Sequence, residues 1–383
     1  MQDKMEGQKG QAWIRSKVIE QSLCTGCGAC VNLCPYQKIH KDRTVHLHVC
    51  DRLDGRCRNY CPRSPMDLDL LRKALFDPVD MVPELGSFKG LYMTRAADAA
   101  VRTSAQHGGT VSALMKLALA EGVIETALMA GRGTDYLPDW LETEPDDDVA
   151  SRAGSRFVVT PTVAGFNAVS KKGDRRIGVV ATPCQALALA KMRVNPWPDD
   201  VARTKKLALV IGLFCGWALD WRRLKKLLAD AVGDAAVTGM DIPPSKHACM
   251  EVYTEQGTVE IPIAKVMPCV REACHYCFDM TCEFADISVG SARSADGWAV
   301  DKGWNQVIVR SELGRRLLDL AREKGVLEFK AVPEGNLEKL RTASANKKKA
   351  CLDNLTVKTG DGEDLIYLDC EDAAVCRIRD MAG

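Results

Sequence analysis

Seven of the chain's 17 cysteines crowd between Cys24 and Cys61, in the order Cys24-x2-Cys27-x2-Cys30-x3-Cys34-Pro35 and then Cys50-x6-Cys57-x3-Cys61-Pro62. Three thiolates at two-residue spacing wrap one face of an iron–sulfur cube, and a fourth, followed by proline, leaves the turn to ligate the neighbouring cluster. Two such runs cross over, so Cys24, Cys27, Cys30 and Cys61 make one complete 4Fe-4S set. Cys34, Cys50 and Cys57 fall to the second cluster, which is one thiolate short. Asp54 stands where a cysteine of a Cys-x2-Cys run would be. A carboxylate is a harder and weaker iron ligand, so this centre is expected as 4Fe-4S with Asp54 or water at one iron, or as 3Fe-4S. The competing readings are a zinc site or a disulfide framework, and neither uses the doubled Cys-x3-Cys-Pro ending.

A chain of 383 residues exceeds a lone ferredoxin and allows two or three domains. Lysine and arginine number 52 against 51 acidic residues, with no basic stripe, which argues against a nucleic-acid partner. Met1 to Lys17 is polar and mixed in charge, unlike a secretory signal, and the longest apolar run, Leu207 to Leu219, is too short for a membrane span. Many cysteines without such a signal imply a reducing compartment where thiolates serve metals, so the expected location is cytoplasmic.

The ferredoxin-like unit takes residues 1–85, closing with an amphipathic stretch from Met66 to Phe76 and the linker Asp77 to Pro83. A second domain, 86–328, alternates in α/β fashion. Helices are expected at about Thr110 to Glu121, Gln185 to Arg193, Leu219 to Val232 and Glu312 to Lys324. Strands are expected at Val123 to Met129, Ile177 to Ala181, Leu207 to Phe214 and Ala285 to Gly290, with a hairpin turning at Gln256-Gly257. Pro138 to Asp148 reads as a surface loop. In the extension 329–383, the run Lys347 to Lys349 reads as a solvated face.

The turn Gln106-His107-Gly108-Gly109 precedes an apolar helix, with Thr110 as the expected N-cap. Free amides and the helix dipole would suit a nucleotide pyrophosphate there, against the plainer reading of a tight turn. No G-x-G-x-x-G follows any strand, so a dinucleotide-binding Rossmann domain is not supported. Cys184 and Cys215 each follow an apolar strand, where open α/β sheets bind ligands. Downstream lies Cys269-x4-Cys274-x2-Cys277-x4-Cys282. Cys274 and Cys277 form a ligand knuckle whose remaining partners are Cys269 and Cys282, or Cys184 and Cys215. A structural zinc on Cys269, Cys274, Cys277 and Cys282 is the competing reading.

Several stretches in this order resemble a known family: Thr94-Arg95-Ala96-Ala97-Asp98, Gln106-His107-Gly108-Gly109, Ala181-Thr182-Pro183-Cys184-Gln185, Gly212-Leu213-Phe214-Cys215, Cys274-His275-Tyr276-Cys277-Phe278-Asp279 and Ala285-Asp286-Ile287-Ser288-Val289-Gly290. The chain is similar to the beta subunits of coenzyme F420-reducing hydrogenase, F420-linked formate dehydrogenase and F420H2 dehydrogenase. The resemblance implies an α/β (α+β) flavin domain behind a bacterial-type 2x(4Fe-4S) ferredoxin-like domain. FAD would exchange a hydride with coenzyme F420 and single electrons with the clusters, since a flavin converts between two-electron and one-electron carriers. Its contacts are expected at Gln106, His107, Gly108, Gly109, Thr110 and Thr182, with Arg102, Lys191 and Arg193 meeting phosphates or the acidic tail of the deazaflavin. Expected partners are subunits of a hydrogenase, formate dehydrogenase or heterodisulfide reductase complex. The segment Gly290 to Trp304 looks longer than the family's turn, which leaves NAD(P)H or ferredoxin as alternative donors; a non-catalytic electron relay is the reading from a different class.

Overall fold

The computed structural model of the chain describes residues 10–131, 133–154, 156–243, 248–293 and 298–381. The start of the polar Met1 to Lys17 stretch, and residues 294–297 of the long Gly290 to Trp304 segment, lie outside the described residues.

The N-terminal unit opens with a helix at Gly10–Ile14 that runs on as a π turn, Arg15–Ile19. After the first cysteine loop comes a hairpin of Gln37–His40 and Arg43–His46, with Gln37 opposite His46. The amphipathic stretch forms the helix Leu68–Leu75, where the Asp67 carboxylate caps the Leu70 amide and Leu68 and Leu71 face inward. That is the spacing an apolar stripe on a helix requires.

The second domain is an eight-stranded mixed sheet. Its strands run in the order Leu327–Lys330, Gly90–Ala96, Asn305–Val309, Ile287–Ser291, Leu207–Leu213, Ile177–Ala181, Thr126–Gly131 and Asp139–Thr143. The four strands from Ile287–Ser291 to Thr126–Gly131 are parallel, and antiparallel strands flank them on both sides. Ile177–Ala181 is buried at every position, as a strand covered on both faces must be. Removing one such Val or Ile side chain from water contributes roughly 1.5–3 kcal/mol. One face is covered by the helices Thr110–Ala120 and Glu312–Glu323, and the other by Thr162–Val169 and Pro183–Val194. The expected hairpin at Gln256-Gly257 forms, pairing Val252 with Val259 inside a separate three-stranded sheet.

Two expectations are corrected. Part of the Pro138 to Asp148 loop is the strand Asp139–Thr143, whose carboxylates at Asp139 and Glu142 suit a sheet edge. The run Lys347 to Lys349 lies in a long helix, Asn336–Thr359, and Lys348 is fully buried against Glu283 at 2.5 Å. That helix places Cys351, Leu352 and Leu355 in one apolar cluster with Leu23, Tyr60 and Leu71 of the ferredoxin-like unit and Phe166, Leu189 and Val210 of the sheet domain. One core therefore joins all three stretches. Among the described residues no helix is long and apolar enough to cross a membrane.

Candidate iron–sulfur and electron-transfer site

Two glycines shape the Cys24 to Cys30 loop. Gly26 and Gly28 have φ of 73° and 84°, a region other residues enter at a cost. A Cβ on Gly28 would come within 2.8 Å of Ala164, so the loop packs directly on the helix Thr162–Val169. Asn167 of that helix donates its side-chain amide to the carbonyls of Gly28, Ala29 and Val31 at 3.4, 3.1 and 2.8 Å. Arg271 donates to the Cys24 carbonyl at 3.1 Å, and Lys191 to the Cys61 carbonyl at 2.7 Å.

Held this way, Cys24, Cys27, Cys30 and Cys61 become electrostatic neighbours, the set the crossover predicts. Burial pushes the Cys30 thiol well up, and Cys24, Cys27 and Cys61 add to the rise. Cys61 is pushed up to about 11 by burial, with Lys191 opposing. Burial raises Cys27 too, and its next cause is Cys184 of the sheet domain, ahead of Cys61. Buried thiols that repel one another do not ionise without a cation to bind, and iron supplies that charge. This donor chemistry fits a cluster.

At the second set, burial raises the Cys57 thiol, the Gln37 carboxamide opposes, and Cys34 and Cys50 add to the rise. The Gln37 amide is buried beside that thiol. The Tyr36 amide points at the Cys34 sulfur at 3.4 Å. Asp54 does not turn inward: its side chain is 74% exposed, 3.9 Å from Arg58.

A third set forms where Cys184 and Cys215 leave the carboxyl ends of two adjacent parallel strands, joined in register at Ala181 and Gly212. Burial raises Cys215, followed by Cys274, with Cys184 and Cys277 adding. The Ala218 amide donates to the Cys274 sulfur at 3.3 Å. Of the two partner pairs left open for the knuckle, the fold thus brings Cys184 and Cys215 to it. Cys269 lies apart, beside Arg223 and Asp220. Cys282 packs behind the strand end, its thiol directed at the Ala181 carbonyl at 3.5 Å. The quartet needed for zinc is therefore not assembled, and among the described residues no three His, Cys, Asp or Glu side chains close on a single-ion site. Zinc–sulfur bonds of about 2.3 Å demand that closeness, whereas a cluster several irons wide does not. Cys351, in the buried seam of the long C-terminal helix, adds a fifth thiol near Cys277. Its charged helical surroundings hid it in the sequence.

The residues expected around a flavin are mostly engaged within the protein. Gly109, in the left-handed region at φ 78°, is the N-cap in place of Thr110. The Thr110 amide donates to Asn305 Oδ1 at 3.2 Å, and its hydroxyl meets that of Thr94 at 2.8 Å. A Cβ on Gly108 would lie 2.8 Å from the same Asn305 oxygen, so close packing explains that glycine. Gln106 donates to Asp241. Burial lowers the His107 pKa, while Asp241 opposes. Thr182 caps its helix in a box with Gln185. Arg102 donates to the Ala96 carbonyl at 2.7 Å, Arg193 reaches Asp286 at 3.5 Å, and Lys191 is buried at the ferredoxin-like unit. The side chains of this turn and these basic residues therefore all have partners inside the protein.

A mixed α/β protein headed by a ferredoxin-like 4Fe-4S segment is the class that this fold and these thiol sets define. The 4Fe-4S binding-domain model matches residues 17–37, and the models of the coenzyme F420 hydrogenase/dehydrogenase beta subunit match residues 91–166 for the N-terminal part and 174–335 for the C terminus. The chain belongs to this coenzyme F420 hydrogenase/dehydrogenase beta-subunit family. It is 31% identical over 283 residues to the coenzyme F420 hydrogenase beta subunit of Methanothermobacter thermautotrophicus, covering 72% of this chain and 96% of that one. It is 28% identical over 354 residues to an F420H2 dehydrogenase subunit of Methanosarcina mazei, covering 87% and 92%. Among solved structures, a chain of the F420-reducing NiFe hydrogenase complex from Methanosarcina barkeri aligns with a TM-score of 0.65 and 26% identity, over 72% of this chain and 94% of that one.

Proposed function

We propose that the chain is the F420-linked subunit of a multi-subunit oxidoreductase, passing electrons between coenzyme F420 and iron–sulfur clusters and on to a catalytic partner. The observation that carries the reading is the meeting of two thiol sets, with Cys184 at a sheet end packed in the same apolar cluster as Cys24, Cys27 and Cys61 of the ferredoxin-like unit. A sheet-domain cluster and a ferredoxin cluster side by side form a wire. Ligand-binding crevices of open α/β sheets lie at those same strand ends, which supports an F420 site near that end of the wire. The relatives' names support a hydrogenase-type or dehydrogenase-type partner. A formate dehydrogenase or heterodisulfide reductase component would use the same electron exit.

A deazaflavin gives up two electrons as a hydride, while each cluster takes one electron, so a flavin such as FAD is the converter this chemistry calls for. The chain's own residues do the rest. Asn167, Arg271 and Lys191 fix the ligand loops, and the shared apolar core excludes water from the proximal and sheet-domain sets.

The test is anaerobic purification with iron and flavin quantitation, then addition of reduced F420 or NADH. The proposal expects bound iron, a releasable flavin and bleaching by reduced F420. Brown protein without flavin would make it an electron relay, and bleaching by NADH alone would reassign the donor.

A further inference from the structure

We propose that Arg63 and Lys191 are built-in counter-charges of two adjoining clusters, with Arg63 set between the Cys24, Cys27, Cys30 and Cys61 cluster and the Cys184, Cys215, Cys274 and Cys277 cluster, where it raises both reduction potentials. The inference rests on the iron–sulfur reading above and assigns a role that the ligand pattern alone does not.

Arg63 is 2% exposed. Its backbone amide donates to the Cys61 sulfur at 3.4 Å, and its Nη2 donates to the carbonyl of Ala273, the residue before Cys274, at 3.1 Å. It lines one small cavity together with Cys184, Cys277, Asp279 and Glu283, and its guanidinium lies 4.5 Å from the centre of the Tyr367 ring. Its Nε is buried with no hydrogen-bond partner. Lys191, also 2% exposed, spends its donors on the Cys61 carbonyl and on Ser64. Among the described residues no carboxylate stands within 4.0 Å of either cation.

A buried cation without a counter-ion is costly, and removing one member of a buried pair is strongly destabilising. The thiols nearest Arg63 are Cys277, Cys351 and Cys184, and those near Lys191 are Cys61 and Cys27, groups that carry negative charge once they hold a cluster. The clusters themselves are thus the counter-ions. Reduction adds negative charge to a cluster, so a fixed positive charge beside it favours the reduced form. Because Arg63 adjoins both sets, it acts on both couples at once and raises both in the same direction.

The experiment is an EPR-monitored redox titration of the anaerobic full-length protein, with iron content measured, for wild type, Arg63→Gln, Arg63→Lys and Lys191→Met. Arg63→Gln is expected to shift both couples at least tenfold toward the oxidised form, which is about 59 mV for one electron. Arg63→Lys is expected to stay within threefold of wild type. A merely structural arginine would move neither couple, so unchanged potentials, or a shift at one cluster only, in iron-replete Arg63→Gln overturn the proposal. If Arg63→Gln is recovered without iron, Lys191→Met decides it: a fall at the proximal couple supports the proposal, and no change overturns it. Wild-type protein that binds no iron would instead overturn the function reading itself.

Discussion

Asn167, in the helix Thr162–Val169, donates its side-chain amide to the Val31 carbonyl at 2.8 Å, tying the sheet domain to the loop that carries three cysteines of the proximal set. Its Oδ1 in turn accepts from Arg203 at 3.0 Å. Asn167→Leu removes the donor from three buried carbonyls and leaves a buried guanidinium short of an acceptor. The expected cost is about 3 kcal/mol, read by urea unfolding. Iron content after anaerobic purification is expected to fall by the proximal cluster, because the loop's carbonyls then turn toward water.

The sheet-domain thiols allow a contrast between cysteines. Cys184→Ala and Cys215→Ala are each expected to remove the iron and EPR signal of one cluster, since both side chains adjoin the Cys274 and Cys277 knuckle. Cys269→Ala is expected to keep full iron, because Cys269 packs with Val270 and Leu219 beside Asp220. Loss of iron in Cys269→Ala with retention in Cys184→Ala would return the ligand set to the Cys269 and Cys282 pairing.

The legible parts of this chain are those governed by local rules. The crossover of Cys61 into the first run follows from its spacing and the proline after it, and the fold assembles that set. Ile177–Ala181 is read from an unbroken apolar run, and the Val252 and Val259 pairing from Gln256-Gly257. What escaped depends on distant partners. The helix Asn336–Thr359 has no continuous apolar stripe, because Lys348 is buried by pairing with Glu283 in a distant part of the chain, so its charge reads as solvent-facing. Asn167 looks like any polar residue in an apolar stretch until the cysteine loop packs on it. The Gly108-Gly109 pair signals a turn correctly, but sequence cannot tell glycines that admit a ligand from glycines that admit Asn305.

The exposed carboxylate of Asp54 makes the second cluster testable. Its side chain points to solvent beside Arg58, a contact worth little at a surface. Asp54→Ala is expected to change stability by less than about 0.5 kcal/mol and to leave iron content and the second cluster's EPR signal as in wild type. A conversion of that signal in Asp54→Ala would establish the carboxylate as a ligand. Asp54→Cys, by contrast, is expected to raise occupancy of a fourth iron only if the loop turns inward.

Asp200 joins the ferredoxin-like unit to the sheet domain, accepting from Arg56 Nε at 2.8 Å, Tyr60 Oη at 3.0 Å and Arg203 Nη2 at 3.1 Å. Burial alone would raise its pKa, but Arg203, Tyr60 and Arg56 outweigh it and hold the carboxyl below the usual range. A depressed folded-state pKa means that the unfolded chain binds the proton first. The stabilisation is therefore full above the unfolded value of about 3.9 and is lost as pH falls through the lower folded value. Asp200→Asn is expected to cost about 3 kcal/mol at pH 7 by leaving Arg56 and Arg203 without their carboxylate. The gap between variant and wild type is expected to narrow below about pH 4, where wild type loses its own ion pairs. Urea unfolding of both proteins across that range checks it, and a gap that stays constant into acid would show that Asp200 acts through shape and not through charge.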